Sequence, residues 1–295
     1  MQSLMRWLAR RPLTTLHAWG ALLGWLAYLL SPRYRKRLRT QVAAAGYGLA
    51  VRHEAVREAG RMVAELPWLW LRPASRPLGA LVQWQGEQVI DDAIAAGRGL
   101  VLLTPHLGCF EVTAQAFAER YGMRVALTAM YRPAHQAWLR EMQRTARDRP
   151  GLVTVPASMA GVRQMIRSLR DGQAVGLLPD QVPPEGMGVW APFFGQPAYT
   201  MTLAARLVQQ TGAALIVVWA ERLPGAAGYV LRVAPMAPPL PQHADSDEAL
   251  QQASATAINQ AMERLIAQRP GQYLWGYFRY KQPQRWAPRA AGDGA

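Results

Sequence analysis

The stretch Leu100-Val101-Leu102-Leu103-Thr104-Pro105-His106-Leu107-Gly108-Cys109-Phe110-Glu111 decides how the rest of the chain is read. Leu100–Thr104 is short and apolar, as a parallel strand covered on both faces must be. Pro105 and His106 leave the strand, and Gly108–Arg120 returns as a helix. On the upstream side, Gln85–Ala96 reads as a helix closed by Gly97-Arg98-Gly99. Downstream the rhythm repeats. Strands at Val125–Met130, Leu152–Val155 and Ala174–Leu178 alternate with helices at His135–Arg147 and Gly161–Leu169. A Pro- and Gly-rich loop then runs to Tyr199. It is followed by a helix at Thr200–Gln210, a strand at Leu215–Ala220 and an antiparallel partner at Tyr229–Ala234. The Pro-rich Pro235–Pro241 stretch precedes a long helix at Glu248–Gln268. Alternating strands and helices predict an α/β fold with a mostly parallel sheet covered by helices.

The amino-terminal part has a different character. Leu13–Leu30 is eighteen residues without a formal charge, roughly 27 Å long as a helix against a bilayer core of about 30 Å. Arg6, Arg10 and Arg11 precede it, and Arg33, Arg35, Lys36, Arg37 and Arg39 follow it. Trp7, Trp19, Trp25 and Tyr28 are rings of the kind that sit at membrane interfaces. Ser31-Pro32 and a basic run stand where a secretory signal would carry a small-residue cleavage site. The segment therefore reads as a retained membrane helix, spanning or interfacial, with more cations after it than before it and so with the bulk of the chain cytoplasmic. This divides the chain into an anchor with basic flanks, 1–40, and one catalytic-type domain, 41–295. Within the latter, 41–72 carries helical spacing at Val42, Leu49, Val56, Val63 and Leu66, broken by Pro67 and Pro73.

Composition narrows the function. The 295 residues are 51% hydrophobic and 18% charged, which excludes disorder for most of the chain. The single cysteine, Cys109, excludes a disulfide framework or a multi-cysteine metal site. In the short turn after His106 it reads as a small apolar packing residue rather than a nucleophile. The net charge is +14, and all the basic residues but Lys36 and Lys281 are arginine. Such a surface suits phosphates or an acidic partner. Nucleic acid is the poorer fit, because the arginines are spread along the chain and an apolar anchor would go unexplained.

In open α/β sheets, ligands sit beyond the carboxyl ends of the strands. Three such ends carry chemistry. After the first strand, His106 stands about a turn before Glu111. An imidazole there can act as a general base if a carboxylate fixes its tautomer, and Glu111 is the expected carboxylate. Tyr131-Arg132-Pro133 follows another strand and offers a guanidinium to an anion. Asp180-Gln181 follows a third, with an aspartate placed to orient Arg132 or a substrate hydroxyl. Further on, Trp190–Gly195 is an aromatic loop able to roof an apolar cavity.

Taken in order, these features resemble the late acyltransferases of lipid A biosynthesis, within the lysophospholipid acyltransferase superfamily. The likeness is carried by the amino-terminal hydrophobic helix, the HxxxxE box at His106 and Glu111 and the YRP box at Tyr131–Pro133. It continues through the DQ box at Asp180-Gln181, the FFG box at Phe193–Gly195 and a P-x-Q-Y-x-W segment at Pro270–Trp275. The resemblance implies a glycerol-3-phosphate acyltransferase-like fold, catalytic roles for His106 and Glu111, and substrate-binding roles for Arg132, Asp180, Gln181, Phe194 and Gly195. It implies acyl carrier protein as donor and partner, a phosphorylated glycolipid acceptor, and action among the lipids of the bacterial inner membrane on the cytoplasmic face. It implies no metal and no cofactor beyond the acyl thioester as co-substrate. Where relatives often read W-x-H-R-R-F/Y-K, this chain has Trp275-Gly276-Tyr277-Phe278-Arg279-Tyr280-Lys281. That departure keeps open another lysophospholipid, aminolipid or glycolipid acceptor, an acyl-CoA donor, and a non-catalytic lipid-binding protein of the same fold.

Overall fold

The computed structural model describes residues 2–73, 75–131, 136, 140, 143, 146 and 149–284. The sheet has seven strands: β1 (Val82–Gln85), β2 (Leu100–Leu103), β3 (Leu127–Tyr131), β4 (Leu152–Pro156), β5 (Ala174–Leu177), β8 (Ala214–Arg222) and β9 (Tyr229–Pro235). Their order is β1-β9-β8-β2-β5-β3-β4. The run from β8 to β4 is parallel, β9 is antiparallel to β8, and β1 runs parallel to β9. β2 is buried throughout, which is why its sequence is continuously apolar instead of alternating.

Helices cover both faces of the sheet. Leu100 and Leu102 of β2 point into one core, with Val112 and Phe117 of α6 (Phe110–Tyr121) and Ile90 of α5 (Gln88–Ala95). Val101 and Leu103 point into the other, with Met165 of α7 (Met159–Arg170), Leu207 of α8 (Leu203–Thr211) and Ile258 of α9 (Asp247–Gln268). This is the two-sided α/β architecture that the alternating segments predict. The helix expected at His135–Arg147 falls largely outside the described residues.

Two local expectations differ. The segment read as a loop up to Tyr199 contains a hairpin, β6 (Gly188–Phe193) with β7 (Gln196–Met201). Pro192 and Pro197 argue against strands by themselves. Here they sit opposite each other in a two-stranded ribbon apart from the main sheet. The start of the helix read at Gln85 is instead the edge strand β1, alternately half-buried and exposed, and α5 begins at Gln88.

The amino-terminal region is helical throughout: α1 (Gln2–Ala9), α2 (Leu13–Leu30), α3 (Pro32–Ala44) and α4 (Leu49–Trp70). α3 runs through position 40, and α4 continues past Pro67 for three more residues, where buried Trp68, Leu69 and Trp70 outweigh the missing proline N–H. α2 lies against α4. A β-carbon at Gly24 would come within 2.1 Å of the Val56 carbonyl oxygen, and one at Gly60 within 1.9 Å of the Gly20 carbonyl oxygen. Only glycines let the two backbones approach so closely.

Candidate active site

His106 and Asp180 meet because their strands are neighbours in register. β2 and β5 are parallel with Leu103 opposite Leu177, and the Thr104 amide extends the ladder to the Leu177 carbonyl at 3.1 Å. Each side chain stands three residues beyond its strand's last paired position. The Asp180 carboxylate holds His106 twice: the backbone N–H donates to Oδ2 at 2.8 Å, and ring Nδ1 lies 2.8 Å from Oδ1. Burial opposes the charge on Asp180, but His106 and the nearby Arg279 outweigh it and hold the carboxyl below its ordinary range. An ionised carboxylate only accepts, so Nδ1 carries the hydrogen and the lone pair of a neutral ring falls on Nε2. The Gln181 amide nitrogen stands 2.9 Å from that Nε2. The Phe110 ring packs beside the imidazole, its centroid 4.7 Å away.

The carboxylate on the imidazole is therefore that of Asp180, and not that of Glu111 as the HxxxxE spacing suggests. Glu111, in the first turn of α6, accepts from the Trp70 indole at 3.1 Å and ties the end of α4 to the start of α6. Spacing along the chain reveals only local neighbours, whereas Asp180 arrives from the adjacent strand. Cys109 is buried and its thiol pushed well above the ordinary value, first by burial and then by Glu65, as befits a packing residue.

The turn that presents His106 is clamped on both sides. Leu274 N–H donates to the His106 carbonyl and Gly108 N–H to the Gln272 carbonyl, each at 3.0 Å, while Cys109 N–H donates to Ala220 at 3.0 Å. Gly108 has φ +60°, and a β-carbon there would sit 1.9 Å from the Ala220 oxygen, so the turn requires glycine. The Pro270–Trp275 segment is thus a backbone clamp on the imidazole. With Leu107 N–H bonded to Pro105, the amides of Leu107, Gly108 and Cys109 are all engaged and are not the donors that would meet a developing oxyanion.

Beneath the same turn lies a second charged cluster. Arg222, at the end of β8, donates to the Gly108 carbonyl at 3.2 Å, to Glu65 at 2.7 Å and to Glu58 at 2.5 Å. Glu65 also accepts from Tyr229 and lies 3.6 Å from His17 of α2. Burial raises the Glu65 carboxyl, but the Arg222 charge and the His17 contact bring it down to about 2.

Arg132 falls outside the described residues, directly after β3. Phe194 and Gly195 are the two central residues of the β6–β7 turn, with φ 46° and 72°, the handedness that hairpin turns favour. Phe194 N–H donates to Glu263 at 2.7 Å, and its ring packs on Tyr47 and Trp275. These two residues shape the hairpin, while Phe193 packs beside Tyr273. Tyr273, whose phenol is pushed up first by burial and then by the Asp180 carboxylate, adjoins the site, as does the buried Arg279. In the sequence Tyr273 falls within the P-x-Q-Y-x-W segment, and Arg279 holds the second arginine position of the W-x-H-R-R-F/Y-K pattern.

The chain matches the bacterial lipid A biosynthesis acyltransferase family over residues 4–282. It belongs to that family. It is 27% identical over 225 residues to a lipid A biosynthesis lauroyltransferase of Escherichia coli K12, covering 75% of this chain and 68% of the relative. It is 25% identical over 232 residues to a lipid A biosynthesis palmitoleoyltransferase of the same organism, covering 77% and 70%. A phosphatidylinositol mannoside acyltransferase of Mycobacterium tuberculosis is 29% identical over 162 residues, 53% of this chain and 48% of the relative. In this lipid A acyltransferase family member, Arg279 does not reach a surface. Its guanidinium donates to the Tyr199 carbonyl and the Thr200 hydroxyl, each at 2.7 Å, and lies over the Phe193 ring, fastening the carboxyl-terminal segment to the hairpin.

Proposed function

We propose that the protein transfers a fatty acyl chain from acyl carrier protein thioester to a hydroxyl of a phosphorylated, Kdo-bearing glucosamine disaccharide, late in lipid A assembly. The observation that carries this is the His106–Asp180 pair at the carboxyl ends of adjacent parallel strands, in a chain of the lipid A acyltransferase family. His106 Nε2 takes the acceptor proton as the hydroxyl oxygen attacks the thioester carbonyl. The C–O ester bond forms, the C–S bond breaks, and the imidazolium returns its proton to the departing thiolate. Asp180 fixes the ring and balances its transient charge. The Gln181 amide occupies the place of the acceptor hydroxyl at rest and yields it on binding. The amino end of α6 supplies partial positive charge nearby, with Arg132 and Glu111 as further contacts to substrate and charge. The reaction takes place at the cytoplasmic face of the bacterial inner membrane, and the basic surface favours encounter with an acidic carrier protein.

The test is acyl transfer by purified wild type, His106→Ala and Asp180→Asn. Acyl carrier protein and coenzyme A thioesters are each offered a lipid A precursor and a phosphatidylinositol mannoside. Expected are a preference for carrier protein and the lipid A precursor, and a loss of about 10²–10⁴ in rate for His106→Ala at unchanged fold. Wild-type turnover in both variants would overturn the mechanism. The mycobacterial relative favours a second reading, a mannosylated phospholipid acceptor, and product from that acceptor alone would establish it.

A further inference from the structure

α2 has two unlike faces. Leu13, Leu16, His17, Gly20, Gly24 and Tyr28 are buried. Trp19, Leu22, Leu23, Leu26, Leu29 and Leu30 are exposed, Leu30 by 73%. The exposed set recurs at helical spacing and makes one apolar stripe too large for an idle surface. The buried face is joined to α4 by the glycine contacts described above. α4 carries Glu58, Arg61 and Glu65 along that seam. A bilayer-crossing α2 would either tear this seam or draw those charges into hydrocarbon.

The stripe ends at a groove between α3 and α4. This cleft, about 570 Å³, is lined by Pro32, Arg35, Lys36, Arg39, Thr40, Ala43 and Arg52, with four cations and no acid among them. Arg35 uses one guanidinium nitrogen to cap the end of α2, donating to the Leu29 carbonyl at 2.9 Å. Arg52 Nε is buried with no hydrogen-bond partner. A row of leucines leading into a pocket of cations matches the two halves of an anionic phospholipid, acyl chains and phosphate. An acidic protein would satisfy the cations and leave the leucines in water.

We infer that the α2 stripe and the α3–α4 groove form one anionic-phospholipid site. The leucines enter the acyl layer, Arg35, Lys36, Arg39 and Arg52 hold headgroup phosphates, and α2 lies along the bilayer surface instead of crossing it. The inference deepens the membrane part of the proposed function and is separable from the chemistry.

The experiment compares full-length wild type with Arg39→Glu/Arg52→Glu for binding to vesicles of phosphatidylcholine alone or mixed equally with phosphatidylglycerol. Acyl transfer in detergent micelles is measured in parallel. Wild type should prefer the anionic vesicles, and the variant should lose at least about tenfold of that binding while keeping wild-type turnover in micelles. Alkaline carbonate should strip wild type from membranes. Equal binding of both proteins to both vesicles would overturn the headgroup site. Resistance to carbonate would overturn the surface placement of α2. Unchanged vesicle binding with weakened use of carrier protein would assign the groove to that protein and overturn the inference. Turnover lost in His106→Ala alone, or kept by it, bears on the reaction and leaves these outcomes readable.

Discussion

The turn from His106 to Gly108 rests between two charged clusters that use similar parts differently. On one side Asp180 meets an imidazole; on the other Glu65 and Glu58 meet a guanidinium. The carboxylates are alike in being almost sealed from water, with side-chain exposures of 1% for Asp180 and 0% for Glu65, and each is kept ionised against its burial. The cations differ. The His106 side chain keeps 12% of its surface, and that of Arg222 keeps 2%. An imidazole can give up its proton near neutral pH, and a guanidinium cannot. The His106 imidazole can therefore move a proton, while the Arg222 guanidinium can only hold the turn still. Preorganisation of the first depends on rigidity in the second.

The contrast is broken most severely by Arg222→Met. Glu65 would be left buried without its guanidinium, while Glu58 keeps its pairing with Arg61, at a cost of about 3–5 kcal/mol in urea unfolding. Adding Glu65→Gln should regain most of that loss, since the carboxylate that has lost its guanidinium is then removed with it. A cost under about 1 kcal/mol for the single change would show that the cluster is not what fixes the turn.

Acid tests the same side more gently. The folded Glu65 carboxyl sits at about 2 against an ordinary 4.5, so the folded state binds its proton less readily than the unfolded chain. Its stabilisation is complete above about pH 4.5 and is lost as pH falls toward 2. The amount is on the order of 3 kcal/mol. Asp180 is shifted in the same direction and adds to the same acid limb. Unfolding midpoints followed from pH 5 downward should fall in wild type. They should fall less steeply in Glu65→Gln, and a parallel decline would remove Glu65 from the account.

How much of this was legible in the sequence follows from what each feature depends on. β2, β5 and their trailing residues were visible because a strand buried on both faces must be apolar, and because Pro105 and Pro179 mark where the chain leaves the sheet. The hairpin was hidden by Pro192 and Pro197, whose strand positions are tolerated only because the ribbon stands apart from the main sheet. The partnership of His106 with Asp180 depends on strand order, which no local spacing encodes. Arg222 and Glu65 lie 157 positions apart, and only the docking of α4 under β8 brings them together. α2 reads as a membrane helix from its composition. Its glycines show their use only once Gly60 of α4 is set against them.

The smallest expected effect sharpens the contrast between Asp180, which holds His106, and Glu111, which holds Trp70. Glu111 accepts a hydrogen bond from Trp70, and Glu111→Gln retains an oxygen for that bond while removing the charge. Stability should therefore change by less than about 0.5 kcal/mol. A carboxylate in the first turn of α6 still favours the imidazolium formed during transfer, by about 1 kcal/mol through a partly screened field, so kcat should fall by about fivefold to tenfold with KM little changed. Asp180→Asn removes the acceptor that fixes the ring tautomer and should cost at least about 10²-fold. The ratio of the two losses is the measurement. If Glu111→Gln proved as damaging as Asp180→Asn, the orienting carboxylate in the working complex would be Glu111, and the pairing seen at rest would be one that substrate binding exchanges.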